Sequence, residues 1–237
     1  MVGLGGGFII VPILRLAFGL SPASAAGTSL ALVIANSASG ATTYLLQRRV
    51  HVRVGLLLAA GGLPGSIAGA VASKHVSAHV FDWLFAALLI GVAVDIVFNR
   101  RKRATAPAQS ASAAAGMPWP GAVIAGFFVG FISSLFGVGG GVVLVPTLFY
   151  FSDLPAHAIS ATSHFGIVLT SPVGFLTHLF EGDIDWSYVL PLMAGGLLGG
   201  PVGARLSLRL NARLLMILVA TALCIAAAAL IARHFDG

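Results

Sequence analysis

The sequence predicts an all-α polytopic membrane protein made of two homologous helical repeats, with Gly-broken or re-entrant helices and about 7–8 membrane segments. Three observations lead there. The 237 residues are 58% hydrophobic and only 8% charged, against roughly 25% charged in an ordinary soluble domain, and mean hydropathy is +1.00. Charge-free runs of bilayer-spanning length recur along the chain. One glycine-rich pattern occurs twice, 134 residues apart. So few charges cannot coat a soluble fold of this size, and so apolar a chain is not disordered, which excludes an ordinary cytosolic enzyme and an unfolded segment alike.

Taken from the start, Gly3-Leu-Gly-Gly-Gly-Phe-Ile-Ile-Val-Pro12 opens the chain. Residues 16–47 then hold a loop and one helix, and residues 54–73 form a span. Phe81–Phe98 forms another, with Asp82 and Asp95 near its ends, where an interface would hold them. Arg100–Arg103 stops the apolar pattern as a cytoplasmic stop-transfer cluster would. The Ala/Ser/Pro segment up to Gly116 has little to bury and reads as a flexible linker. Residues 118–136 resume the apolar pattern, and 154–180, 186–204 and 214–232 complete it. The expected organisation is a first transmembrane repeat over 1–99, a linker over 100–117 and a second repeat over 118–237.

The duplication is visible residue by residue. Gly3–Pro12 matches Gly137–Pro146 at six of ten positions, and residues 60–70 match 194–204 at seven of eleven. At the same offset Thr28-Ser29 pairs with Thr162-Ser163, Gly40 with Gly174 and Thr43 with Thr177. Self-similarity at one spacing marks an internal repeat. The first copy has 17 fewer apolar residues ahead of its glycines than the second. Either the reading frame extends upstream or this copy lacks its leading half-helix.

Consecutive glycines make a poor helix interior, costing about 1 kcal/mol each relative to Ala. Discontinuities are therefore expected at Gly5, Gly6 and Gly7 and at Gly139, Gly140 and Gly141. A broken helix inside a bilayer is tolerated where its freed backbone groups are buried in protein or face a water-filled cavity. The helix resuming after each break presents unpaired N–H groups and a partial positive charge, which suits an anion. Paired glycine-interrupted segments in two halves point to a transporter's central site. The bland alternative is close helix packing, the better account of the glycines at 61–69 and 195–203.

Thr28, Ser29, Thr162 and Ser163 could line an anion path with neutral donors or simply bond to neighbouring backbone. His164 beside the second pair could carry a proton, meet an anion or pack through a hydrogen bond. His178 is expected at an interface near Glu181, and Cys224 reads as a small core hydrophobe. No Asp, Glu, Lys or Arg is expected inside a span away from its ends, which argues against a carboxylate-relay cation pump. With no HExxH and no GxSxG, the sequence supplies no constellation for an intramembrane metalloenzyme or serine protease. No metal site, no catalytic residue, no cofactor and no nucleic acid are expected.

With GxGGGxxxxP at the head of two similar halves, TS pairs at 28–29 and 162–163 and AGGxxG at 60–65 and 194–199, the chain resembles the sulfite exporter TauE/SafE family of membrane permeases. The resemblance covers residues 3–98 and 118–232. It implies a multi-pass plasma-membrane (inner-membrane) protein that moves small anions, typically sulfite or organosulfur compounds such as sulfonates. The expected partners are a small anionic substrate and the lipid bilayer, and a homo-oligomer is compatible with such a fold. The alternative function is a non-transporting membrane scaffold or assembly partner.

Charge counts separate two topologies. Four crossings per half make the halves parallel and divide Lys and Arg 8 to 5 between the two sides. If each glycine segment is a re-entrant hairpin, each half has three crossings, the second half inverts and the division becomes 10 to 3. Because Lys and Arg in short loops set orientation, the inverted arrangement is favoured.

Overall fold

The computed structural model describes residues 6–98, 118–152, 154–209 and 212–232. Among these it has nine helices and no strand: α1 (Gly7–Leu16), α2 (Pro22–Leu46), α3 (Val52–His75), α4 (Ala78–Phe98), α5 (Trp119–Phe136), α6 (Gly141–Phe151), α7 (Ala156–Phe180), α8 (Trp186–Arg209) and α9 (Ala212–Ala232). α2, α3, α4, α5 and most of α7 are long and apolar enough to cross a bilayer. Gly5 and the Arg100–Gly116 segment lie outside the described residues.

Local chemistry sets the helix boundaries. Ser21 is extended and its Oγ accepts the Ser24 N–H at 3.1 Å, with Pro22 opening α2 where a missing N–H costs nothing. α7 stops at Glu181, whose N–H bonds to the Thr177 carbonyl, and Gly182 follows at φ 76°, a conformation that favours glycine.

Contacts fix the direction of each helix. Gly61, Gly65 and Gly69 of α3 lie against Val123, Phe127 and Phe131 of α5. The index rises on both helices at a constant difference, so α3 and α5 are parallel. A Cβ on any of these three glycines would collide with a backbone carbonyl of α5, the close approach that small residues permit in membrane bundles. α6 turns back: Leu148 and Val145 pack with Val54 at the start of α3 and Ile159 at the start of α7. Tyr150 Oη donates to Asp95 Oδ1 near the end of α4 at 2.6 Å. α5 and α6 therefore form a hairpin that enters and leaves at one end of the bundle, here end B. The other end, end A, collects the end of α1, the start of α2, the end of α3 and the 181–185 turn.

The main core lies around α4. Phe81, Phe85 and Leu89 pack with Leu14 and Val11 of α1, Phe136 of α5 and Leu223 and Leu230 of α9. The Phe81 and Phe136 rings are 5.2 Å apart and Phe85 stacks on Phe136 at 5.3 Å. Outward the bundle stays apolar, with Leu56, Val94, Phe128 and Ile225 exposed. Such a surface belongs in lipid. Cys224 shares it: the thiol is exposed on α9, so it is not a core residue, because its side of the helix turns away from Leu223.

Candidate functional site

The site is built where helices stop. α5 ends at Phe136, Gly137 turns left-handed at φ 68°, Gly139 and Gly140 follow at 77° and 70°, and α6 resumes at Gly141. In the first half Gly6, at φ 80°, precedes α1. Left-handed backbone of this kind costs a residue with a Cβ roughly 1–2 kcal/mol, which is why glycines occupy these four positions.

The two breaks touch. A Cβ on Gly7 would lie 2.5 Å from the Gly137 carbonyl oxygen and 2.9 Å from Val138 Cα. Gly6 faces Leu32 of α2 and Gly139 faces Val33, so both breaks straddle one turn of α2. That turn is about 15 Å from end A at 1.5 Å per residue from Pro22. From there α1 runs to end A and α6 to end B. Two helix N-termini, each carrying about half a positive charge, converge in a buried place, and residues 133–142 are all buried.

The Thr-Ser pairs divide their work. Thr28 and Thr162 do not face the breaks. Thr28 Oγ1 accepts the Asp185 N–H at 3.0 Å, and Thr162 Oγ1 accepts the His51 N–H at 3.0 Å. Asp185 lies 134 residues after His51, as Thr162 does after Thr28, so each threonine satisfies the amide ahead of a helix in the opposite half. Ser29 does meet a break: its Oγ lies 2.7 Å from the Gly137 carbonyl and 2.8 Å from that of Ala26. Ser163 is fully buried and its Oγ has no hydrogen-bond partner among the described residues. His164 lies away from the breaks, with Nδ1 2.9 Å from the Ser160 carbonyl and its ring edge-on to Tyr44 at 5.4 Å. Gly40 makes room for that ring.

Three residues play parts that the spacing did not reveal. Arg15 and Asp82 are buried at 3% and 1% exposure. The guanidinium donates from Nε to Oδ1 at 3.0 Å, from Nη2 to Oδ2 at 2.6 Å and from Nη1 to the Leu20 carbonyl at 2.8 Å. Asp82, near the start of α4, is buried inside the bundle and not exposed at that end, because tertiary packing supplies its partner from α1. His178, expected at an interface, is fully buried. Its Nε2 lies 3.0 Å from the Ser134 carbonyl near the end of α5, and Gly27 of α2 closes over its Cβ. The available signal was a histidine one turn short of an acidic turn. At the rim, Lys74 pairs with Glu181 at 2.9 Å and holds that carboxyl below its usual pKa. Among the described residues no cluster of three or more His, Cys, Asp or Glu could hold a metal ion.

An apolar helical bundle whose glycine-broken helices meet inside it, with an apolar outer surface, is an integral membrane protein of the transporter class. The profile described as "Sulfite exporter TauE/SafE" matches residues 1–230, and the chain belongs to that family. It is 30% identical to probable membrane transporter protein YunE of Bacillus subtilis (strain 168) over 238 residues, covering 92% of this chain and 87% of that one. A probable membrane transporter protein of Xylella fastidiosa (strain 9a5c) is 26% identical, covering 90% and 80%. Probable membrane transporter protein YfcA of Escherichia coli (strain K12) is 28% identical, covering 92% and 80%. No solved structure gives a significant match.

Proposed function

We propose that this protein carries a small anion, sulfite or an organosulfur anion such as a sulfonate, across the plasma membrane through the place where the two breaks meet. The convergence of the α1 and α6 N-termini carries this reading. Two positive helix ends facing one buried point favour a negative charge between them. The Ser29 hydroxyl at the Gly137 carbonyl and the buried Ser163 hydroxyl, which has no hydrogen-bond partner among the described residues, are neutral donors able to help bind an anion without holding it permanently.

The same geometry supports two inverted repeats: six through-helices, with α5–α6 as one re-entrant hairpin and α1 as the returning arm of another. End B then collects Arg48, Arg49 and Arg53 and the α8–α9 connection, whose sequence carries Arg205, Arg209 and Arg213, and faces the cytoplasm. The two Thr-to-amide bonds, related by the repeat offset, support this symmetry.

Proteoliposomes loaded with a panel of oxyanions test the function. We expect sulfite or sulfonate flux in the wild type. Gly6→Leu or Gly140→Leu should abolish it while membrane insertion and monodispersity persist; unchanged flux in both variants would remove the breaks from the path. In a Cys224→Ala background, cysteines at Ser77 and Gly182 should react from outside and one at Gln47 only from inside, and labelling of Gln47 from outside would reverse the orientation.

A further inference from the structure

His178 poses a problem of proton counting. Its Nε2 lies 3.0 Å from the Ser134 carbonyl and its Nδ1 lies 3.5 Å from Asp183 Oδ2. A carbonyl and a carboxylate both accept, while a neutral imidazole has one N–H. One tautomer leaves Ser134 without a donor, and the other leaves Nδ1 facing Asp183 as two acceptors. Nδ1 and Asp183 Oδ2 are both buried without another hydrogen-bond partner. The Ser134 carbonyl needs the ring: the Val138 N–H, four residues on, bonds instead to the Ser133 carbonyl. A single added proton lets the ring serve both acceptors.

We propose that His178 and Asp183 form a proton-binding site that ties the water at end A to the α5–α6 break. The proton comes from end A by way of Asp183, whose side chain is 11% exposed while that of His178 is 0%. It adds to the Nδ1 lone pair, completing an imidazolium opposite the Asp183 carboxylate, and leaves by the same path. No other bond forms or breaks. The surrounding elements contribute Lys74 and His75 from α3, Glu181 at the end of α7, Asp183 in the turn, the Ser134 carbonyl from α5 and Gly27 from α2. Lys74 Nζ lies 4.0 Å from Asp183 Oδ1, so one carboxylate oxygen faces a cation while the other, Oδ2, faces the ring.

Loss of the proton forces a choice. Either the Ser134 carbonyl, three residues before Gly137, loses its donor, or the 181–185 turn loses its tie to the ring. That turn also donates the Asp185 N–H to Thr28 of α2, so the proton state reaches both a break and the helix lining it. The consequence for flux, a proton-coupled anion movement, rests on the transport reading above; the proton site itself does not.

Nitrogen-15 NMR of histidine-labelled protein in nanodiscs tests the site directly, with the His178 signal assigned by its absence in His178→Gln. Between about pH 5 and pH 8, the range in which an ordinary histidine changes charge, the wild-type ring should lose one proton. In Asp183→Asn, whose amide can donate to Nδ1, the ring should stay neutral throughout, and Asp183→Glu should restore the titration. A wild-type ring that never titrates, or one that titrates identically in Asp183→Asn, would overturn the proposal. In sulfite-loaded proteoliposomes a pH gradient should change wild-type flux, and Asp183→Asn should lose that response about tenfold or more, whereas a retained response would overturn the coupling. If the wild type carries neither sulfite nor another oxyanion, the transport reading fails and the NMR result still decides the proton site.

Discussion

α1 and α6 begin alike and are anchored differently. Both open on a left-handed glycine and carry a proline six residues on, at Pro12 and Pro146. Their far ends both reach α4, one through Asp82 and the other through Asp95, about 20 Å apart along that helix. The α1 tie is a buried charge pair with two direct hydrogen bonds, whereas the α6 tie includes a hydroxyl-to-carboxylate bond at an exposed position. α6 is held mainly by apolar contact through Leu144, Val145 and Leu148. One sequence pattern can therefore serve two mechanical roles, because what fixes a half-helix is the element it meets.

The largest expected effect breaks this contrast. Asp82→Ala or Arg15→Met alone leaves an uncompensated buried charge and should cost about 3–5 kcal/mol, read as a large fall in the thermal midpoint of detergent-solubilised protein. Arg15→Met combined with Asp82→Leu should recover most of it. Tyr150→Phe should cost only about 0.5–1 kcal/mol. A Tyr150→Phe loss equal to that of Asp82→Ala would show that the two anchors are equivalent.

A second contrast lies between α3 and α8, which share the AGGxxG pattern. Gly61 and Gly65 lie against α5 backbone, while their counterparts Gly195 and Gly199 have no atom within 4 Å of an added Cβ. Gly65→Leu should destabilise by roughly 1–3 kcal/mol through overpacking. Gly199→Leu should stay within about 0.5 kcal/mol. Equal losses in the same melting assay would mean that the α8 face is also covered.

The smallest effects sharpen the Thr-Ser comparison. Ser29→Ala removes a buried hydrogen bond and should cost about 1 kcal/mol. Ser163→Ala removes a buried hydroxyl that has no partner among the described residues, so stability should hold or rise. A measured cost for Ser163→Ala comparable to that of Ser29→Ala would give Ser163 a structural bond after all.

Much of the architecture was legible because the bilayer imposes simple arithmetic. Span length and the scarcity of charge gave the membrane class, and the glycine runs marked the helix interruption that the structure places at residues 137–140. The serine and threonine roles were not legible, since adjacent residues on one helix point to different neighbours. His164 looked central beside the second Thr-Ser pair, yet it packs on Tyr44, while His178 near the span end is fully buried.

The sequence by itself determined the apolar helices, their glycine punctuation and the 134-residue spacing at which the patterns recur, all local properties of composition and spacing. Only the tertiary structure decided that α5 and α6 fold back as a hairpin, that Gly7 meets Gly137, that Arg15 finds Asp82 across 67 residues and that one buried imidazole stands between two acceptors. Those facts depend on which helices become neighbours. In a chain so uniformly apolar, hydrophobicity cannot choose among neighbours; close glycine contacts and a few buried polar partners can.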